Sequence, residues 1–305
     1  MNFRRSEFDV TNRINTTDPV CVKLEVARIF RNVHARAHAP VLSQAFDDMV
    51  RLYRGEFPGY ARCDTRYHDL QHVLEVTLAM ARLLDGYERT RGHGPAIDER
   101  LFQLGMICAL YHDCGYIRRD NDKKHRNGAE YTMTHVSRGG RFLREYLPGI
   151  GMGDVAEIAA EMLHFTGYEK SIAAIRVPPM YRLVGSLLGS ADIIAQMADR
   201  CYLEKCRDRL YPEFVAAGLT HRLNDDGEDE VVFSSGDDLL RKTPIFYAHA
   251  TRRLDEELDG AYRYAQAHFG GTNLYMDALK QNVRFVERIG AQGDIVLRRQ
   301  PPVTV

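Results

Sequence analysis

Apolar residues recur at three- and four-residue spacing along most of this chain, the period of a helix face turned towards a core. The pattern runs through residues 21 to 55, where Pro40 breaks it, and returns over 68 to 90, 98 to 116, 126 to 147, 152 to 165 and 178 to 210. The separators are turn-forming: "RGHGP" at 91 to 95, "LPGIGMGD" at 147 to 154 and "VPPM" at 177 to 180. Strand-like alternation is scarce, and "EVVFS" at 230 to 234 is its best example. The acidic stretch 218 to 238 reads as a loop or insertion. Helix resumes near Asp238 and continues, with interruptions, to about Ile289, leaving "RRQPPVTV" as a mobile tail. The predicted fold is all-α. A helical core spans residues 60 to 215, preceded by a helical extension over 1 to 59 and followed by an acidic loop and C-terminal helices over 216 to 305 that pack on it.

Several residues in these core-forming runs are out of place in an apolar interior. The stretch "RYHDLQHVLEV", residues 66 to 76, sets His68 and His72 four apart. On a helix that is one turn, about 6 Å along the axis, on one face. In "LYHDCGY", His112 and Asp113 are neighbours at the end of an apolar run. Adjacent helical residues point roughly 100° apart, so convergence of the two suits a helix end where the chain turns. Asp192, in "LLGSADIIAQMADR", has no Lys or Arg within four positions on either side. A carboxylate buried there is costly unless it is ion-paired or bound to a metal. His135 and His164 lie on predicted helices among mostly apolar neighbours; each is either a satisfied core histidine or a further ligand. In order, His72, His112–Asp113, His135, His164 and Asp192 are separated by 40, 23, 29 and 28 residues, a cadence suited to a bundle that donates ligands inward.

Composition narrows the partners. The chain is 45% hydrophobic and 27% charged with a net charge of −1, which argues against a nucleic-acid polymer or an anionic membrane recognised through overall charge. No apolar run approaches the roughly 20 residues of a membrane span, and no apolar stretch follows the N-terminal Arg pair as a secretory signal requires. The six cysteines form no C-x-x-C pair, so a reducing cytoplasm is the expected compartment. The basic run "RRDNDKKHR", residues 118 to 126, offers Arg118, Arg119, Lys123 and Lys124, either to grip a phosphorylated substrate or as a solvated loop between helices. Gln196, one turn after Asp192, either faces a pocket or packs at the core edge. There is no G-x-x-x-x-G-K loop and no G-x-S-x-G elbow.

The order His…His-Asp…Asp on an all-α scaffold resembles the HD superfamily of metal-dependent phosphohydrolases. The stretch "YHDLQHVLEV" is similar to the Y-H-x-x-x-H-x-x-x-V motif of cyclic-nucleotide phosphodiesterases. The resemblance covers roughly residues 60 to 200. It implies an HD-domain helical bundle with additional N- and C-terminal helices, holding divalent metal ions, two of them, drawn from Zn, Fe, Mn or Mg. By position, His72, His112, Asp113 and Asp192 would bind the first ion, and Asp113 would bridge to the second. His68 would be the general acid that protonates the leaving oxygen. His135 and His164 match the order of the second-site histidines in HD-GYP-type binuclear relatives. The activity implied is phosphoester hydrolysis, foremost of a nucleotide diester or a similar small phosphorylated substrate, with His68 and Asp113 as the catalytic pair. Two other readings stand beside it: an HD-fold di-iron oxygenase, and a non-catalytic nucleotide-binding module. Homo-oligomerisation is left open.

Overall fold

Helix α3 (Leu70–Thr90) is buried round nearly its whole circumference from Leu70 to Tyr87, which makes it the axis of the molecule. The computed structural model describes residues 4–36, 38–224, 227–290 and 296–303. Four helices pack on α3: α1 (Pro19–Val33), α4 (Glu99–Tyr111), α7 (Pro179–Ala198) and the short α12 (Tyr264–His268). Helix α2 (Pro40–Arg54) lies on α4, α5 (His135–Tyr146) pairs with α6 (Ala156–Leu163), and α13 (Leu274–Gly290) covers α7. Between α7 and α13 come α8 (Tyr202–Lys205), α9 (Tyr211–Ala216), an exposed hairpin of β1 (His221–Leu223) and β2 (Asp229–Val231), α10 (Gly236–Arg241) and α11 (Thr243–Arg252). The fold is all-α, as the apolar period predicts. No helix among the described residues is long and apolar enough to cross a membrane.

Local chemistry sets the boundaries. Proline opens α1, α2 and α7, where its missing N–H is no loss and its φ is already helical. The break expected at Pro40 is therefore the start of α2. Helix α12 crosses α3 in backbone contact: a Cβ on Gly86 would lie 1.9 Å from the carbonyl oxygen of Tyr264, so only glycine fits. Two buried ion pairs tie distant segments to α3. The Arg82 guanidinium donates to Asp9 and, over 2.8 Å, to the Tyr275 hydroxyl, joining the N-terminal segment to α13. Lys205 lies 2.5 Å from Asp199 and 3.8 Å from Glu75, joining α8 to α3.

Five sequence expectations change. The helix expected over 126 to 147 begins only at His135, because Gly128–Tyr131 forms a 3₁₀ turn capped by Asn127. The run to 116 stops at Tyr111 and passes into a 3₁₀ turn, Cys114–Tyr116. The run over 178 to 210 breaks at Asp199, whose ψ of 137° is extended and whose carboxylate accepts from the Cys201 N–H at 2.8 Å. The strand sought in 230 to 234 is β2, paired with β1 inside the acidic stretch; positions 225 and 226 of that stretch lie outside the described residues. The tail is held as far as it is described: Arg299 N–H donates to Glu204 at 3.1 Å, and Arg209 donates to the Pro302 carbonyl. Residues 304 and 305 lie outside the described residues.

Candidate metal centre

Three helices and one turn deliver the donors. Asp69 N-caps α3 by accepting the His72 N–H at 3.0 Å, which orders the first turn and fixes where the His72 ring projects. His112 follows the last residue of α4, and Asp113, at φ −104° and ψ 6°, is where the chain leaves the helix. The adjacent pair can therefore converge. Asp192 comes from the buried length of α7, and Gln196 one turn on donates to its Oδ1 at 3.3 Å. His135 opens α5 beside the turn after Asp113. A Cβ on Gly115 would stand 1.8 Å from the His135 carbonyl oxygen, so this glycine is what lets the two segments meet. Glu169 accepts from the Val136 N–H at 2.8 Å and caps α5, steadying His135 from the other side.

The donor atoms meet at one point. His72 Nε2 is 3.2 Å from Asp113 Oδ2, 3.5 Å from Asp192 Oδ1 and 3.3 Å from His112 Nε2. His112 Nε2 is 3.2 Å from Asp113 Oδ2 and 3.8 Å from Asp192 Oδ1. Ligands about 2.1 Å from a common ion would be spaced about 3.0–3.4 Å apart, a spacing that His72, His112 and Asp113 match, with Asp192 standing somewhat wider. The tautomers agree. His112 Nδ1 is 2.9 Å from the Ala109 carbonyl and His135 Nδ1 is 2.7 Å from that of Thr132, so each donates from Nδ1 and keeps the Nε2 lone pair free. His135 Nε2 faces the other oxygen of Asp113, Oδ1, at 3.7 Å.

Electrostatics point the same way. Among the described residues, no lysine or arginine pairs with Asp113 or Asp192, whose ion-pair partners are the histidines. Burial opposes the charge on Asp113, yet the flanking imidazoles of His112 and His72 hold its carboxyl well below the usual range. In turn, burial opposes protonation of His72, but Asp113 and Asp192 push it up to about 10. Burial wins at His135, which is lowered and stands neutral. Asp113 Oδ2 is buried without a hydrogen-bond donor. Two buried carboxylates facing imidazole nitrogens, with no lysine or arginine paired to them among the described residues, form a donor set that a divalent ion fits.

His68 is not on α3 beside His72, as the four-residue spacing predicts; it precedes the cap residue Asp69. The two rings still lie 5.9 Å apart, centre to centre, on one cavity. Its Nδ1 is 2.6 Å from Glu213, a buried carboxylate 145 residues away that also accepts the Tyr67 N–H at 2.5 Å. Tyr116 stacks between His68 and His135, at 4.3 Å and 4.4 Å from their centres. Burial lowers the His68 pKa, but Glu213 and, secondarily, Asp113 outweigh it, so the net shift is upward, with His72 opposing. Glu213 thus holds the His68 ring and favours its protonated form. For the activity proposed below, Glu213→Gln is expected to lower kcat/KM about 10- to 100-fold, part of what a general acid contributes. Bound metal should be unchanged. Removing the carboxylate lowers the His68 pKa, so the limb on which activity falls with rising pH should move to lower pH. A full pH–rate profile measures that limb.

Other residues singled out in the sequence fall elsewhere. Arg118 pairs with Asp64 at 2.9 Å, and Arg119 pairs with Glu145 at 2.7 Å over the Tyr60 ring. Lys123 and Lys124 are exposed, and none of the four is among the residues that line the cavity, so this run forms a solvated loop outside that lining. His164 is not brought to the cluster. Helix α6 ends at Leu163 and Phe165 turns into the core, leaving His164 among Lys170, Glu169, Glu161 and Arg144. Gln196 does line the cavity, but its amide is engaged by Asp192 and by the Tyr67 hydroxyl at 3.1 Å. Asp69 carried a readable signal, an N-cap ahead of an apolar run; Glu213, in "YPEF", carried none.

The cluster opens on a cavity of about 600 Å³. Its further walls come from beyond residue 200, notably Phe214, Leu219, Leu239 and Phe246. Two π-helical turns, Cys206–Leu210 and Arg253–Glu257, border it, an irregularity common at functional sites. Fold and site together define an all-α bundle with a buried His/Asp cluster fit for a metal ion. Residues 42–288 match the sequence model of the Npun_R2479-like family, and the chain belongs to that family. No curated protein and no solved structure matches the chain.

Proposed function

We propose that this protein is a metal-dependent phosphohydrolase acting on a small phosphoester, in keeping with the HD-type order of its histidines and aspartates. The observation that carries the reading is the cluster of His72, His112 and Asp113, with Asp192 beside it, opening on the cavity that also presents the Glu213-held imidazole of His68. Asp113 Oδ1 and His135 Nε2 offer only two donors to a second ion, which is therefore held more weakly. Zn, Fe, Mn and Mg suit such mixed nitrogen and oxygen donors. A bound divalent ion would supply Lewis acidity, making water a nucleophile at neutral pH and neutralising phosphoryl charge. The water oxygen bonds to phosphorus and the ester P–O bond breaks. His68 gives its proton to the leaving oxygen, balanced by the proton that the water loses. Six free cysteines support a cytoplasmic setting.

The test is a screen of metal-stripped protein resupplied with Mn²⁺, Mg²⁺, Fe²⁺ or Zn²⁺ against bis-(p-nitrophenyl) phosphate and p-nitrophenyl phosphate. Metal-dependent turnover of the diester, with one ion per chain surviving dialysis, is expected. Two tightly held irons with a mixed-valence EPR signal and no ester turnover would move the reading to a di-iron oxygenase.

A further inference from the structure

We propose that the cavity takes a phosphoester whose organic part is a hydrophobic chain, alkyl or prenyl in character, and not a nucleoside. The inference rests on the phosphohydrolase reading and adds the substrate class. The cavity, at about 600 Å³, is of the size that encloses a small organic ligand. Phe214, Leu219, Leu239 and Phe246 line it together with chemistry-bearing His68 and Asp113. Phe214 and Phe233 stack at 5.7 Å, and Phe233 lies 5.9 Å from Phe246, so the buried Phe233 ring backs the two lining phenylalanines.

Several of the polar side chains that line the cavity near the cluster are committed within the protein, while His249, Arg252 and Glu257 line its outer part. Gln196 is spanned between Asp192 and Tyr67. Thr132 and Thr166 donate to the carbonyls of Ala129 and Leu163, at 2.7 and 2.9 Å. Glu169 caps α5, and Arg253 donates to the carbonyls of Phe165 and Gly167, at 3.0 and 2.7 Å. A base edge or a ribose hydroxyl placed against Phe214, Leu219, Leu239 and Phe246 would lose its water and find no polar partner there, a penalty an apolar chain does not incur. A chain gains by leaving water for the same surface.

The experiment uses alkyl p-nitrophenyl phosphates, from methyl to octyl, beside the p-nitrophenyl ester of thymidine 5′-phosphate. With Mn²⁺ present, kcat/KM is expected to rise about fourfold per added methylene until the cavity is filled. The thymidine ester should fall below the butyl compound. Phe246→Ala, at a side chain 39% exposed and so not needed for the core, should flatten the series, lowering the octyl-to-methyl ratio of kcat/KM. A flat series, or preference for the thymidine ester, overturns the inference while bis-(p-nitrophenyl) phosphate turnover keeps the hydrolase reading. If no ester is hydrolysed, that reading fails, and ligand binding decides the cavity. A rise in Tm with decylphosphonate but not with thymidine 5′-phosphate supports the hydrophobic site, and the reverse overturns it.

Discussion

Asp113→Asn should lower kcat/KM for diester hydrolysis by about 10³-fold or more and release the tightly held ion, with the helical circular dichroism intact. The expectation comes from where the carboxylate sits. Oδ2 faces the Nε2 atoms of His72 and His112, each at 3.2 Å, and Oδ1 faces that of His135 at 3.7 Å. Among the described residues, no other carboxylate pairs with three of the clustered imidazoles. Burial alone would favour the neutral acid, but His112 and His72 keep the group ionised through the working pH range. Asparagine keeps the shape and removes the anion, and its amide would turn N–H donors towards the imidazoles. Steady-state kinetics, metal analysis of the dialysed protein and far-UV circular dichroism measure the three parts. Undiminished turnover by Asp113→Asn would place the chemistry somewhere else in the molecule.

The second large effect concerns stability and lies away from the site. Asp9→Ala should destabilise the fold by about 3–5 kcal/mol at neutral pH, read as a lower denaturation midpoint. Arg82, only 1% exposed, donates to Asp9 and to the Tyr275 hydroxyl, and the variant leaves its charge buried with the phenol alone. Asp9 also accepts the Arg13 and Ile14 N–H groups, each at 3.0 Å, which would lose their partner. Arg82 is ten residues after His72 on α3, about 15 Å along the axis, so metal content should not change. Burial opposes the Asp9 charge, but Arg82 and the backbone donors hold its pKa below the ordinary value. A depressed carboxylate stabilises fully above its unfolded pKa, and that contribution is lost as pH falls through the folded one. The gap between wild type and Asp9→Ala should therefore be full at pH 7 and close in acid. The double variant Asp9→Leu/Arg82→Met should recover much of the loss, because it leaves no orphaned charge.

Much of the donor set was legible because it obeys local rules. His112 and Asp113 close an apolar run, and a run's end is where a helix turns and neighbouring side chains can converge. Asp192 stood in an apolar helix without a nearby cation, and the structure gives it only histidine partners for its charge. His135 and His164 looked alike in sequence, since each followed a similar interval within an apolar segment. Packing separated them: Gly115 lets α5 approach the turn after Asp113, while the end of α6 turns inward at Phe165 and leaves His164 behind. The basic run 118 to 126 suggested a phosphate grip by composition. Its arginines instead meet Asp64 and Glu145, 54 and 26 residues away.

By itself, the sequence determined the helical class, the proline-opened helix starts and the short roll of donors, because these depend on contacts within one or two turns. Tertiary structure alone decided that Glu213 holds His68, that the arginines of the basic loop are spent elsewhere, and that the C-terminal segment walls the cavity in apolar side chains. Those outcomes depend on how whole helices pack, and no local period records which distant faces will touch.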